Sequence, residues 1–305
     1  MLHDLVRQAV MRGLPHTTAD EADLQGLSVQ DLLTAYYTWA ARQVGARPRR
    51  VHVSAELAFK KAALPLAVQV GLRAVLDAAA RGADLRPHLS TGSACGFDRK
   101  GRAKPGRRRG DLDLLLGSWG LHHLHLSTTL RPDGWGERTA EVLIAAVQPD
   151  DLFAVDVVPH GAKNDRWWTV RPDLLSIIAR NWPETTSLLR PPQTEMRATQ
   201  TFGLEEQLQL RHAGVTVLTE AEGRVCLPGG IALDGTPIAS TQRARKMAWL
   251  LRECERRRSD LEVEAVEHAR DLRPGLDARP TWAAELTAEA DLSLVYGGAV
   301  RYSLT

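Results

Sequence analysis

Cysteine is scarce: the 305 residues hold three, Cys95, Cys226 and Cys254, far apart and odd in number. No C-x-x-C pair occurs, which argues against a disulfide framework and a cysteine zinc knuckle and fits a reducing compartment. Long apolar runs are missing too, and nothing approaches the roughly 18 residues of a membrane span. The opening MLHDLVRQAVMRG is amphipathic, carries Asp4 among its apolar positions and lacks a small-residue cleavage pattern. It does not read as a signal peptide, so the expected location is the cytoplasm, with no membrane partner. Charge of one sign is not in excess. The net charge is +2, so the molecule as a whole is no polycation and any attraction for nucleic acid must come from a local patch. Nucleotide signatures are absent as well. LPGGIALDGTPIAS, Leu227 to Ser240, is glycine-rich but has neither GxGxxG nor a Walker lysine, and reads as a turn-rich connection.

What is present is ordinary in bulk, with 44% apolar and 25% charged residues. The chain can bury a core without staples and can form two modest domains. Met1 to Gly82 predicts helices. Ser28 to Asp31 matches a capping box before Leu32, Leu33, Tyr36, Tyr37, Ala40 and Val44 at helical spacing. Ala55 to Ala63 continues in that style, and Pro65 opens another helix that ends near Gly82. Gly92 to Gly110 has no hydrophobic period and carries Arg99, Lys100, Arg102, Lys104, Arg107, Arg108 and Arg109. It predicts a basic loop. Three strands follow in a meander, Gly120 to Ser127, Glu141 to Val147 and Leu152 to Val158, the last two joined by a Gln148–Asp151 turn. A helix over Arg171 to Trp182 stops at Pro183, and Arg190 to Thr194 reads as a linker.

Beyond the linker, the pattern predicts a helix at Leu204 to His212 and a short hairpin across Thr216 to Leu227. A long amphipathic helix at Gln242 to Arg258 and a terminal hairpin at Leu292 to Leu304 complete it. The expected class is α+β: helices first, a central antiparallel sheet, and a C-terminal α+β part. The expected domains are 1–190, carrying the histidine-bearing sheet, and 195–305.

GLHHLHLST, Gly120 to Thr128, packs histidines at 122, 123 and 125. On a strand, His123 and His125 share one face with Leu121 and Ser127, while His122 joins Leu124 and Leu126 on the other. The second face is apolar, so it predicts a core-facing His122 and a solvated face for the pair. Asp156 and His160 lie on the third strand and at its end, where they can converge on that pair. Two imidazoles across a scissile bond supply a general base and a general acid, since their pKa lies nearest neutrality. Cleavage of an RNA backbone adds the need for a cation beside the developing phosphorane charge, and the 2′-hydroxyl supplies the nucleophile, so no cofactor is required. The basic loop offers phosphate contacts, and Trp119, Trp135, Trp167 and Trp168 flank the strands as possible stacking surfaces. The same His123, His125, Asp156 and His160 also make a candidate site for Zn or Mn. Asp111 and Asp113 read as capping or turn residues before the strand.

HLST occurs at His88 and again at His125. The H-x-[ST] pattern is similar to that of the two-histidine phosphoesterases, which adds His88 to the candidates. From Asp113 to Trp182 the layout resembles the compact core of RelE-type, barnase-like bacterial endoribonucleases. It has a histidine-bearing strand, RTAEVLIAAVQPDDLFAVDVVPH as a hairpin ending in His160, and a following helix. That resemblance covers under a quarter of the chain. It implies metal-independent RNA cleavage of a toxin or phage-defence kind. His123, His125 and His160 would be its acid/base groups, with Arg138 or Arg131 on the phosphate. It also implies RNA as partner and an antitoxin or a second copy as a further one. Two other readings use the same residues, a metal-dependent hydrolase and a non-catalytic nucleic-acid-binding protein in which the basic loop carries the function.

Overall fold

The computed structural model describes residues 1–98, 110–161, 172–183, 202–212, 215, 217–222, 224–226, 230–232, 234–272, 281–287, 290–298 and 300–304. The first elements are α1 (Leu2–Gly13), α2 (Glu21–Gly26), α3 (Val29–Ala40), β1 (Arg50–Val53), α4 (Ala55–Lys60) and α5 (Leu66–Arg81). Then come α6 (Leu114–Trp119), β2 (Leu121–His125), β3 (Glu141–Val147), β4 (Asp151–Pro159), α7 (Pro172–Asn181) and α8 (Leu204–His212). The chain closes with β5 (Thr219–Ala221), β6 (Arg224–Cys226), α9 (Ile238–Arg256), α10 (Arg258–Leu272), β7 (Trp282–Leu286), β8 (Leu292–Tyr296) and β9 (Val300–Ser303). The class is α+β, as the patterning predicts. Among the described residues no helix is long and apolar enough to cross a membrane.

The chain divides into two compact units that do not follow its order. One gathers Met1–Ala40, Ala94–Asp111 and Ser240–Thr305; the other gathers Ala41–Ser93 and Leu112–Ala239. A division near residue 190 therefore does not coincide with the packing. In the first unit, Leu2, Val6 and Val10 of α1 and Leu33 and Tyr36 of α3 share one core with Leu251 of α9 and Leu292 and Leu294 of β8. Helices from the start of the chain thus bury the apolar face of strands from its end. The terminal hairpin forms as expected, and β7 joins it as a third antiparallel strand. Neither β7 nor α10 is foreseen from the sequence.

The second unit is built on a four-stranded sheet in the order β1-β4-β3-β2. Strands β2, β3 and β4 form the predicted antiparallel meander. The departure is β1, which lies parallel to β4 and makes the sheet mixed. RVHV was part of the region expected to be helical; it is four residues long and alternates weakly, which gives little periodicity to detect. Across this pair, Arg50 and His52 both bond the Asp151 carboxylate, at 2.8–2.9 and 2.7 Å.

One face of this sheet packs Leu121, Val142, Ile144, Phe153 and Val155 against Leu174, Leu175 and Ile178 of α7. The other packs Leu124, Leu143, Ala145, Leu152 and Ala154 against Leu72, Val75 and Ala79 of α5. At Gly71 in α5 an added Cβ would sit 1.7 Å from the Leu126 carbonyl oxygen, so helix and strand end meet backbone to backbone. Local signals set the ends of the helices. The Ser54 hydroxyl caps α4 by accepting from the Leu57 N–H at 3.0 Å and donates to the Val155 carbonyl at 2.7 Å. Asp113 caps α6, accepting from the Leu116 N–H at 3.1 Å. Gly120, at φ +66°, ends α6 in the left-handed region and passes the chain directly into β2.

Candidate functional site

All the groups brought together lie in the second unit. Register sets the starting point: His125 stands opposite Val142, and His123 opposite Ile144. Strand β4 lies beyond β3, so it does not touch β2. His160 nonetheless reaches the pair, because it follows the end of β4 and its N–H donates to the Ala140 carbonyl at 2.7 Å. The His123 and His160 rings stack at 6.1 Å between centroids, and His125 meets His160 edge-on at 5.0 Å. One ring nitrogen of each histidine lies within 4.8 Å of one nitrogen of each of the others.

The setting of this cluster differs from expectation. The face of β2 that carries the pair is not solvated, because its neighbours across the strands belong to the apolar layer under α7. His125 is only 4% exposed, and His123 and His160 are half-buried. The His125 Nδ1 is buried and has no hydrogen-bond partner among the described residues. Burial pushes the His125 pKa down to about 4, and the charges of His160, His123, Arg138 and His88 push the same way. An imidazole held neutral in this way keeps a lone pair at neutral pH and is a poor proton donor there.

Around the cluster stand groups that orient it. Asp113 divides its carboxylate. One oxygen caps α6, and the other lies 3.5 Å from Nδ1 of His123. At that distance the contact falls short of a good hydrogen bond, and it places a carboxylate charge beside the His123 ring. The sequence marks Asp113 as a cap, and its proximity to His123 follows from the direct passage of α6 into β2. His88 donates from Nδ1 to the His125 carbonyl at 2.9 Å, which holds the end of β2. Burial lowers the His88 pKa, partly offset by that bond. Arg138 is exposed, and its charge is felt at His125.

Other candidates fall away. Asp156 does not join the histidines: its carboxylate pairs with Lys60 of α4 and accepts from the Val157 N–H at 2.9 Å. Lys60 reaches it because α4 passes β4 where β1 has ended, and the lysine also donates to the Val157 carbonyl at 2.7 Å. His122 is the core histidine predicted, 8% exposed and lowered to about 4 by burial, with Asp113 opposing and His123 and Arg49 adding to the shift. Trp119 and Trp135 are buried in the two layers flanking the sheet and present no open ring. Arg131 pairs with Asp133. The basic segment Arg99, Lys100, Arg102, Lys104, Arg107, Arg108 and Arg109, and Trp167 and Trp168, lie outside the described residues.

No family model, curated protein or solved structure matches this chain. The functional reading therefore rests on the site.

Proposed function

We propose that the second unit is a hydrolase of phosphodiester bonds in RNA, with a zinc ion held by His123, His125 and His160. The observation that carries this is the convergence of three imidazole nitrogens within 4.8 Å of one another, one of the rings having a buried Nδ1 without a partner. Three protein ligands and one open position are the pattern of catalytic zinc. An all-nitrogen set suits zinc better than manganese, which prefers oxygen donors, and Asp156 is committed to Lys60. Zinc–nitrogen bonds near 2.0–2.1 Å require nitrogens roughly 3.3 Å apart, so the rings draw together on binding. The ion would supply a bound water acidic enough to attack at neutral pH. Asp113 would hold the His123 ring, and Arg138 would face the charge that develops on the phosphate.

A second reading keeps the same residues without metal. Arg138 beside a set of imidazoles supports acid/base cleavage by the 2′-hydroxyl route, the activity implied by the RelE-type resemblance. In that case a toxin or phage-defence role, a cytoplasmic site of action and an antitoxin or self-association partner go with it.

One experiment separates the two. RNA cleavage is measured for the metal-stripped protein in EDTA, after adding Zn²⁺ or Mn²⁺, and for His123→Ala, His125→Ala and His160→Ala. The expected outcome is no cleavage in EDTA, recovery with Zn²⁺, and loss of roughly 100-fold or more in each variant. Cleavage that persists in EDTA and disappears in the variants would move the case to the metal-free reading. RNA bound but never cut would overturn both.

A further inference from the structure

The first unit carries a surface unrelated to the histidines. Among the described residues, most cations near the end of the chain are committed within the fold. Arg243 bonds the Asp291 carboxylate and the Ala290 carbonyl, both at 3.0 Å, and lies over the Tyr37 ring. Arg256 pairs with Glu253, Arg257 with Glu264, and Arg258 with Glu255 and Glu262. Arg245, Lys246 and Arg252 differ: all three are exposed, and none has a partner among the described residues. They surround Trp249, which is 56% exposed and is the one large apolar side chain that α9 leaves in water. The opposite side of α9 is buried through Ala244, Met247, Ala248 and Leu251. Helical spacing therefore puts Arg245, Trp249 and Arg252 on one outer stripe about 10 Å long. With Gln242 these residues line a shallow cavity of about 390 Å³.

We propose that this stripe binds single-stranded nucleic acid, one base stacking on the Trp249 indole and the backbone phosphates meeting Arg245, Lys246 and Arg252. An open aromatic ring flanked by uncommitted cations is how sequence-tolerant single-strand sites are built. Two of the three cations are arginines, whose planar guanidinium suits phosphate. An acidic protein partner would also meet the charge, but it needs an apolar groove for its own side chains, and here one ring stands alone. The site is independent of the histidine cluster, so either reading can fail without the other.

The test uses the full chain and a fluorescently labelled oligodeoxythymidylate, which lacks the 2′-hydroxyl, in EDTA to prevent cleavage. Binding is read by anisotropy across a salt series. Trp249→Ala is expected to weaken binding about tenfold or more, while Trp249→Phe retains most of it. The Arg245→Ala/Arg252→Ala double variant is expected to flatten the slope of log affinity against log salt by about 1.4, or about 0.7 per phosphate contact. Circular dichroism checks that these exposed substitutions leave the fold intact. Equal affinity in Trp249→Ala overturns the proposal. So does polyglutamate binding with the same dependence on Trp249, which would make the stripe a protein-docking surface.

Discussion

Asp113 shows how one side chain serves two levels of structure. Its Oδ1 closes the first turn of α6 and its Oδ2 lies 3.5 Å from His123. Asparagine also caps helices, so Asp113→Asn separates the roles. The variant is expected to keep its thermal stability within a degree or so but to bind Zn²⁺ about 10- to 100-fold more weakly, as read by competition with a chromogenic chelator. An unchanged affinity would remove Asp113 from the site. His125 is the complementary case: its identity is obvious in the sequence, but its burial and its depressed pKa come from what covers it.

At the scale of elements, the site depends on how closely α5 approaches the sheet. Gly71 permits that approach, because a Cβ there would overlap the Leu126 carbonyl. Gly71→Ala should raise helix propensity by about 1 kcal/mol if the residue were exposed. Here the clash must dominate, and a net loss of about 1–3 kcal/mol is expected from urea unfolding, since neither backbone can move without disturbing the layer. A neutral or stabilising result would mean that α5 sits farther from β2. The short strand β1 belongs to this scale too. Four residues with two polar side chains carry almost no periodic signal; the strand forms by pairing with β4, where Arg50 and His52 both bond Asp151.

At the scale of the molecule, the interleaved units decide what can be cut. Ending the chain at Arg190 removes α9, β8 and the rest of the layer that covers α1 and α3. Leu2, Val6, Val10, Leu33 and Tyr36 would then lose their partners. The 1–190 fragment is expected to bind a hydrophobic dye strongly and to aggregate, measured by dye fluorescence and light scattering against the full chain. A monomeric fragment that binds no dye would show that α1–α3 bury that face elsewhere.

Much of this architecture is written locally. The α3 and α4 caps, the apolar faces of α5 and α9, the β2–β3–β4 meander and the terminal hairpin all follow from signals within a turn or a pleat. So does the nomination of His123, His125 and His160, because alternation along a strand sorts side chains to faces and a turn sets the neighbour; Arg138 came only from what the RelE-type resemblance implies. Tertiary structure decided the rest. It sent Asp156 to Lys60, brought His160 beside a strand with which its own strand does not pair, and buried the face expected to be wet. It also left Arg245, Lys246 and Arg252 without partners among the described residues while pairing their neighbours. The reason is one of range: periodicity and capping act over a few residues, whereas the partner of a charge and the cover over a face come from distant chain segments.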